Sequence, residues 1–577
     1  MKRLLSYFFA IVLSLTSIIG WAQGCLEPSL SEAIDRIADD ERIEVVVLMK
    51  SQYDRSQLCR RASFIQTKSE RRTFVFNELK AFTEASQHDI EGVLSEMEQQ
   101  GMISSVHSLW SANALYFSAT KAALIELSKR TDIEIISRNV QHQLIPEEET
   151  AGAASDAREI TPNITQVNAD QVWALGYTGA GVVVAVVDSG VNYDHLDLAD
   201  HLWDGGEAFP HHGYDIVNDD DDPMDDKGHG THVAGIVCGD GTSGSQTGVA
   251  PEATLMCVKT TAADGFGGAV NIAGGMEWAV EHGCDLINLS QGMAGAGTAD
   301  KEIFRRTCTA ILDVGIVALV CAGNEGNTFL QMAYPIPDNV RVPASCPPPY
   351  LDPDQMANPG GLSCVVAVGA VNYNDIAADF TSQGPVTWQN TEFGDYAYNP
   401  GIGLIRPDVC APGVNIKSLD YSNPSGYTYM DGTSQATPCV AGIVALMLQK
   451  NPELTPAQIC QILEETSVKL TPNKSNITGV GRVDALAAVN AVPAWDKVNE
   501  SIATKALVYP NPSTGFVTVH AQGLQRVEIL DITGKKLITA QAVHDELHLD
   551  LRQLFAGIYF VTTITEQGYS TQKLIKN

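Results

Sequence analysis

Positive charge is scarce in this chain of 577 residues. It carries 37 lysines and arginines against 69 aspartates and glutamates, which gives a formal net charge of -32 at pH 7. A protein that binds nucleic acid needs a basic face for the phosphates, so this composition argues against that class of partner. Acidity alone identifies no partner, because carboxylates serve solubility as well as calcium binding.

Long apolar runs are also missing after the N-terminal stretch Leu4–Trp21, so no later segment is predicted to cross a bilayer. Lys2 and Arg3 precede that stretch and small residues follow it at Ala22–Gly24, which is typical of a signal peptide. A membrane anchor and a lipid-modified Cys25 are the alternatives. We predict a signal peptide over residues 1–23, export of the remainder, and no transmembrane anchor in the mature protein.

The chain has 12 cysteines, and export makes disulfides possible because they form in oxidising compartments. Spacing alone cannot assign the pairs. Cys346 and Cys364 bracket a proline- and glycine-rich insertion and are the pair that we expect to be bonded. Cys257, Cys321 and Cys439 stand in apolar runs, which predicts buried thiols that act as small hydrophobic side chains.

No tandem repeat is visible, and the residue patterns instead divide the chain into different domains. Residues 24–155 alternate strand and helix patterns and run into a polar linker over residues 146–159, which predicts a small α+β domain. The predicted strands are 43–49, 113–119 and 133–137, and the predicted helices are 70–100 and 121–129.

Residues 156–495 change to short continuous apolar runs separated by longer helical patterns. Strands buried on both faces have this pattern, so we predict an α/β domain, a doubly wound parallel sheet with helices on both sides. Its predicted strands are 182–187, 254–258, 286–289, 316–321 and 365–368. Residues 505–577 carry short alternating runs separated by turns, which is typical of a small all-β sandwich.

Three polar residues fall at the carboxyl ends of the predicted strands, where such a sheet places its functional site. Asp188 ends a buried strand, His229 opens a helix between two glycines, and Ser434 precedes an apolar helix over residues 440–448 whose first turn would hold Pro438. The ordinary structural alternatives are a turn residue for Asp188 and a helix N-cap for Ser434. For His229 the alternative is a metal pair with His232, although no glutamate stands where a zinc protease has its base.

The chain order Asp, His, Ser is one of the orders in which catalytic triads occur, and the surrounding blocks resemble those of the subtilisin-like serine proteases, the subtilases. The blocks, in the family's order, are 176–190, 229–235, 287–290, 322–326, 411–413 and 432–434. The resemblance implies an endopeptidase in which Ser434 attacks the peptide carbonyl, His229 takes its proton, and Asp188 orients the imidazole. It implies no catalytic cofactor.

Further residues acquire roles through the same resemblance. It implies that Asn324 stabilises the oxyanion together with the backbone N–H of Ser434. The main specificity pocket that it implies has small residues on one wall, so we expect room for a large side chain. The implied pocket residues are Ser290, Gln291, Gly292, Ala322 and Gly323. Gln291 and Gln435 depart from the family's usual Leu and Met, and the absence of that Met predicts resistance to peroxide.

The acidic segment from Asp215 to Asp226 needs a cation or water around its carboxylates. Resemblance to thermitase-like relatives implies structural calcium there, with Asp215, Asp220 and Asp222 as ligands. A solvated acidic loop is the alternative.

The flanking domains resemble parts of an exported zymogen. Residues 24–155 are similar to a subtilase propeptide, which implies an inhibitor whose C-terminal end plugs the active site, with maturation between about residues 140 and 160. Residues 505–577 resemble the C-terminal sorting domain of type IX secretion cargo, which implies that secretion machinery as a partner. A substrate-binding β-sandwich is the alternative for this last domain.

These features predict a secreted or surface-located serine endopeptidase that cuts protein or peptide substrates through an acyl-enzyme on Ser434. The alternatives are a catalytically silent subtilase fold that acts as a surface binding protein, and a surface structural protein. The presence of the whole triad, Asn324 and a propeptide favours the enzyme.

Overall fold

The chain folds into two compact units, residues 1–494 and residues 495–577. The computed structural model describes residues 25–65, 67–144, 159–347, 364–388, 403–495, 506–531, 535–565 and 568–576. The predicted signal peptide lies outside the described residues, and so does the predicted linker except for Glu159. Within these described ranges, no helix combines the length and the apolar content that a bilayer span requires.

The first unit begins with an α+β region. Its elements are α1 Pro28–Ile34, β1 Arg42–Met49, α2 Arg55–Ala62, α3 Lys68–Gln99, β2 Ile103–Leu109, β3 Ala114–Thr120, α4 Lys121–Leu127, β4 Ile133–Arg138 and β5 His142–Gln143. Four strands form an antiparallel sheet in the order β2-β3-β1-β4. Strand β1 alternates between two cores: Val45 and Val47 lie in a core inside this region, whereas Val46 and Leu48 lie in a core shared with the following domain.

The following domain is built on a sheet of seven strands. The strands of the whole domain are β6 Val183–Asp188, β7 Gly213–Asp215, β8 Thr254–Lys259, β9 Phe266–Gly267, β10 Leu286–Leu289, β11 Val317–Cys321, β12 Val366–Val371, β13 Val409–Pro412, β14 Ile416–Leu419 and β15 Tyr427–Met430. Three of them, β9, β14 and β15, lie outside this sheet. The sheet has the order β13-β12-β11-β10-β6-β8-β7 and all its pairs are parallel. The first strand of the sheet is β6, and later strands are added on both sides of it, which confirms the predicted doubly wound topology.

Helices cover both faces of this sheet. They are α5 Pro162–Gln166, α6 Ala169–Trp173, a 3₁₀ turn Gly206–Ala208, α7 His229–Cys238, α8 Ala269–Glu281, α9 Thr298–Val314, α10 Thr328–Ala333, α11 Thr433–Lys450, α12 Pro456–Thr466 and α13 Ala485–Ala491. Successive residues of a strand point to opposite faces. On β6, Val184 and Val186 therefore join the core formed with α7 and α11, while Ala185 and Val187 join the core formed with α8 and α9.

The second unit is all-β, as predicted. Its strands are β16 Leu507–Tyr509, β17 Phe516–His520, β18 Leu524–Leu530, β19 Lys536–Gln541, β20 Glu546–Asp550, β21 Gly557–Thr565 and β22 Gly568–Lys576. They form two antiparallel sheets, β16-β17-β20 and β19-β18-β21-β22. Alternate residues such as Val517, Val519, Val527 and Ile529 form the apolar core of this unit.

The cysteines correct one expectation. All 12 lie within the described residues, and all are free thiols, so the predicted Cys346–Cys364 bond is not formed. Both thiols are instead hydrogen-bonded to a third, Cys308, which holds the pKa of Cys308 well above its usual range together with burial. Spacing along the chain could not reveal this third thiol, because it comes from helix α9.

Candidate active site

The fold brings the three residues singled out from the sequence to the carboxyl edge of the sheet. Asp188 is the last residue of β6, His229 is the first residue of α7, and Ser434 is the second residue of α11. The first-turn N–H groups of a helix have no intrahelical acceptor, so the start of α11 presents the backbone N–H of Ser434 as a free donor.

Asp188 and His229 form a buried hydrogen-bonded pair. His229 Nδ1 lies 2.7 Å from Asp188 Oδ1, and Asp188 has no exposed surface. A carboxylate only accepts hydrogen bonds, so Nδ1 carries the proton and Nε2 is left with a free lone pair. Gly228, in the left-handed region at φ 98°, permits this helix start because a Cβ there would lie 2.5 Å from the ring of Tyr421.

Asp225 fixes the segment that carries this pair, and the sequence analysis did not find it. Its buried carboxylate accepts hydrogen bonds from the N–H of Gly228 at 2.8 Å, from the N–H of Thr231 at 2.9 Å and from Ser189 Oγ at 2.9 Å. Ser189 Oγ in turn accepts the N–H of Gly230 at 2.9 Å. Burial raises the pKa of Asp225, and the hydrogen bonds from Thr231 and Gly228 oppose that rise. The acid therefore links the residue after Asp188 to the residues around His229.

Ser434 is tied to Ser290 by two hydrogen bonds. Ser434 Oγ donates to the carbonyl of Ser290 at 2.7 Å, and Ser290 Oγ donates to the carbonyl of Ser434 at 2.8 Å. The second bond has a cause in Pro438, which has no N–H for the carbonyl four residues earlier. The sequence pattern predicts Pro438 in the first turn of its helix. Because α11 begins at Thr433, Pro438 lies in the second turn instead. A hydroxyl has one proton, so Ser434 Oγ must give up its bond to the Ser290 carbonyl before it can donate to another acceptor.

The side-chain amide of Asn324 is held in one orientation by Thr433. Its Oδ1 accepts the N–H of Thr433 at 3.0 Å and Thr433 Oγ1 at 2.9 Å. Since Oδ1 is used, the NH₂ group of Asn324 points away from Thr433, and a Cβ added at Gly432 would lie 3.2 Å from it. The amide thus lies beside the start of α11, where the N–H of Ser434 is also available.

The pocket residues lie on two segments that lead away from Ser434. Ser290 and Gly292 follow β10, and Ala322 and Gly323 follow β11, which is parallel to β10. Gly323 is joined to the nucleophile segment, because its N–H donates to Thr433 Oγ1 at 3.1 Å.

The side chain of Gln291 points away from the predicted pocket. Its side chain has no exposed surface, and Nε2 donates to the carbonyl of Val187 at 3.0 Å and to Thr260 Oγ1 at 2.5 Å. Thr261 Oγ1 donates to its Oε1. The side chain therefore fastens the end of β10 to β6 and β8, and it does not shape the pocket.

The two histidines of α7 have separate tasks. His232 is fully buried and its Nε2 lies 3.1 Å from the carbonyl of Ile416, whereas His229 bonds Asp188. Burial, reinforced by the nearby His229, lowers the pKa of His232 to about 3, so the ring is neutral. The geometry does not support the alternative of a shared metal ion.

The acidic loop does not gather the predicted calcium ligands. Asp215 accepts the N–H groups of Val217 and Asn218 at 2.7 and 3.0 Å, and Asp222 Oδ1 accepts Tyr193 OH at 2.7 Å. Asp220 Oδ1 accepts the N–H of Asp222 at 3.0 Å.

An internal cation pairs with two of the acids of this loop. Lys259 Nζ donates to Asp226 Oδ2 at 2.7 Å and to the carbonyl of Met224 at 3.2 Å, and lies 3.6 Å from Asp215 Oδ2. Among the described residues, the one group of such side chains within reach of a single ion is Asp200, His201 and Asp240. The set Asp215, Asp220 and Asp222 therefore does not fit a calcium ion in this arrangement.

The end of the N-terminal region lies between β9 and Arg341, in the space that we call the cleft. Strand β5 pairs with β9 in antiparallel fashion, with His142 opposite Gly267, and the N–H of Leu144 donates to the carbonyl of Gly265 at 2.9 Å. Leu144 is 1 % exposed. A segment of the chain's own N-terminal region thus lies along β9 as an added strand, in the way that an extended peptide binds to a sheet edge.

Comparison with known proteins gives two family matches. Residues 179–481 match the model described as the subtilase family, and residues 507–577 match the model described as a secretion system C-terminal sorting domain. The first match covers the three residues of the triad and Asn324.

Individual relatives match between about half and three quarters of the chain. The serine protease AprX of Bacillus subtilis is 34 % identical over 376 residues, which are 60 % of this chain and 71 % of AprX. Subtilisin DY of Bacillus licheniformis is 32 % identical over 57 % of this chain and 100 % of its own length. Bacillopeptidase F of Bacillus subtilis is 30 % identical over 75 % of this chain, which spans only 30 % of that longer protein. A solved cold adapted subtilisin-like serine proteinase aligns at 26 % identity over 54 % of this chain and 90 % of its own, with a TM-score of 0.39.

Proposed function

This chain belongs to the subtilase family of serine endopeptidases, and from that premise we propose that it is a secreted endopeptidase with Asp188, His229 and Ser434 as its triad. One observation carries the proposal: the buried hydrogen bond of 2.7 Å between Asp188 and His229, at the edge where α11 presents Ser434. Substrates are proteins or peptides, and the chemistry needs no catalytic cofactor.

The reaction begins when Ser434 leaves the Ser290 carbonyl and turns to His229. His229 Nε2 takes the hydroxyl proton as Oγ attacks the peptide carbonyl, and Asp188 stabilises the imidazolium that forms. The Asn324 amide and the N–H of Ser434 donate to the oxygen that becomes negative. His229 then gives the proton to the leaving amine, and water hydrolyses the acyl-enzyme by the same steps in reverse.

The N-terminal region serves as the inhibitor of this site. The support is the strand β5 along β9 and the burial of Leu144 in the cleft, where a substrate strand would lie. Maturation between about residues 140 and 160 would release this strand. That interval includes residues 145–158, which the structure does not describe.

The C-terminal unit directs export. Its match to a secretion system sorting domain supports passage through type IX secretion machinery, followed by release or attachment at the cell surface. Calcium at Asp215, Asp220 and Asp222 is not part of the proposal, because the carboxylates of that loop are used by backbone N–H groups, Tyr193 and Lys259.

The test is cleavage of an unbiased peptide mixture by the secreted protein, read by mass spectrometry. We expect cleavage by the natural sequence and a loss of more than about a thousandfold in S434A, because the nucleophile is gone. S425A, which changes an exposed turn serine of the same domain, is the matched control and keeps full activity. Labelling by a fluorophosphonate should follow the same pattern. No cleavage by the natural sequence after removal of the N-terminal region would favour the silent binding protein.

A further inference from the structure

A buried ion pair lies behind the predicted specificity pocket. Arg341 is 8 % exposed, and its Nε and Nη2 donate to Glu325 Oε1 at 2.9 and 2.6 Å. Glu325 also accepts Ser382 Oγ at 3.0 Å on its other oxygen. Burial opposes the charge of Arg341, but the attraction of Glu325 outweighs it and raises the pKa of the guanidinium. The guanidinium is therefore charged, and Glu325 fixes its position.

The side chain of Arg341 reaches both walls of the pocket. A Cβ added at Gly323 would lie 2.7 Å from Arg341 Cγ, and a Cβ added at Gly292 would lie 3.2 Å from Arg341 Cβ. Arg341 Nη1 donates to the carbonyl of Gly292 at 3.2 Å, and its backbone N–H donates to the carbonyl of Ala322 at 2.9 Å. The space that small wall residues leave is occupied by this one side chain.

The same guanidinium contacts the peptide segment in the cleft. Arg341 Nη1 donates to the carbonyl of Leu144 at 2.8 Å, and Leu144 continues the strand that lies along β9. A substrate strand that replaces this segment would therefore pass over Arg341 on its way to Ser434.

We propose that Arg341 is a specificity-determining residue: held by Glu325, it closes the pocket between Gly292 and Gly323. The enzyme then prefers short side chains (alanine, glycine or serine) immediately before the cut bond. This replaces the expectation of room for a large side chain. Selection is by size and not by charge, because Glu325 already neutralises the guanidinium. The inference rests on the proposed function.

The test compares the mature enzyme with the double variant R341A/E325Q. Both residues change together, because removal of Arg341 alone would leave an uncompensated buried carboxylate. The substrates are two peptides that differ only in Ala or Phe before the cut bond. We expect the natural enzyme to cut faster after Ala, and the Phe-to-Ala ratio of kcat/KM to rise about 10–200-fold in the variant, as a change of pocket size does in other enzymes.

The matched control is R482A/D375N. Arg482 is also buried, pairs with Asp375 at 2.6 Å and bonds the carbonyl of Gln166, so this variant should leave the ratio unchanged. A natural enzyme that cuts faster after Phe overturns the inference without any variant, and so does a ratio that R341A/E325Q leaves unaltered. If R341A/E325Q does not fold, the preference of the natural enzyme decides alone. No cleavage at all, or cleavage by S434A, overturns the proposed function instead.

Discussion

The two layers that cover the seven-stranded sheet are closed by different chemistry. On the face of α7 and α11 the contacts are apolar, with Val233, Ile236 and Leu446 fully buried. On the other face, α8 and α9 pack on the sheet with apolar residues, and their outer surface meets the N-terminal region through apolar residues such as Val46 and Leu79 together with buried charges. There Arg306 donates to Glu134 at 2.6 Å, to its own-helix neighbour Glu302 at 2.6 Å and to the carbonyl of Met49 at 3.0 Å.

The difference is that the interface with the N-terminal region adds buried charges to its apolar contacts, which makes it easier to open than the layer of α7 and α11. Exposing buried apolar surface to water costs free energy that nothing offsets. A paired charge, in contrast, regains its hydration when its partner leaves. Further charged contacts at the same interface are Arg55 with Asp313 at 2.6 Å and Lys80 with Glu281 at 3.0 Å. An N-terminal region attached in this way suits a segment that is removed on maturation, as the proposed function requires.

The largest effect that would sharpen this contrast is expected from R306A. In the uncut precursor, made with S434A, it leaves Glu134 without its arginine and Glu302 with Arg305 at 3.3 Å, which should lower the free energy of unfolding by about 3 kcal/mol, the low end for a broken buried pair. In the mature protein Glu302 faces water, so the loss should stay below about 1 kcal/mol. Urea unfolding of the precursor and of the fluorophosphonate-blocked mature enzyme measures both values. Equal losses in the two forms would contradict a releasable interface.

The apolar layer should respond in the opposite way. L446A removes a fully buried side chain of α11 and should lower the free energy of unfolding by about 2 kcal/mol or more, because it creates a cavity. The loss should be equal in precursor and mature enzyme, since this face does not change on maturation. The same urea experiment decides it, and a loss confined to the precursor would show that the two layers are not distinct.

The sequence predicted the parts of the molecule that depend on local pattern. Continuous apolar runs gave the five central strands, and the motifs around Asp188, His229 and Ser434 gave the site. It missed β2, because Ile103–Leu109 is mostly polar on one side and half-buried. It also missed the roles of Asp225 and Arg341, since each depends on partners brought near only by the fold.

The direction of a side chain was a further limit. Gln291 lies in the predicted pocket segment, yet its side chain turns to Val187 and Thr260. The acidic loop looked like a calcium site because Lys259, the cation that pairs with two of its acids, comes from β8, more than thirty residues later in the chain. For Gln291 and for the acidic loop alike, the sequence shows which polar groups are present but not which distant residues they contact in the fold.

The smallest effect concerns Glu277 of α8, a buried carboxyl group at the interface with the N-terminal region. Its Oε1 accepts the N–H of Ser111 at 2.6 Å, and burial raises its pKa from 4.5 to about 8, against the lowering by the Ser111 hydrogen bonds. Trp110, Tyr116 and Glu281 also face it, the last adding a repulsive charge.

A raised pKa in the docked form means that docking takes up a proton. The contribution of Glu277 is therefore fully favourable below about pH 4.5 and is lost as pH rises through about 8. The melting temperature of the S434A precursor, relative to the mature enzyme, should fall over this pH range. E277Q should make this fall shallower, because the variant no longer takes up the one proton of Glu277. E252Q, which changes an exposed glutamate that accepts a hydrogen bond from Thr178, is the control and should keep the slope. An unchanged slope in E277Q would show that Ser111 holds Glu277 ionised, and that this interface opens without any dependence on its protonation.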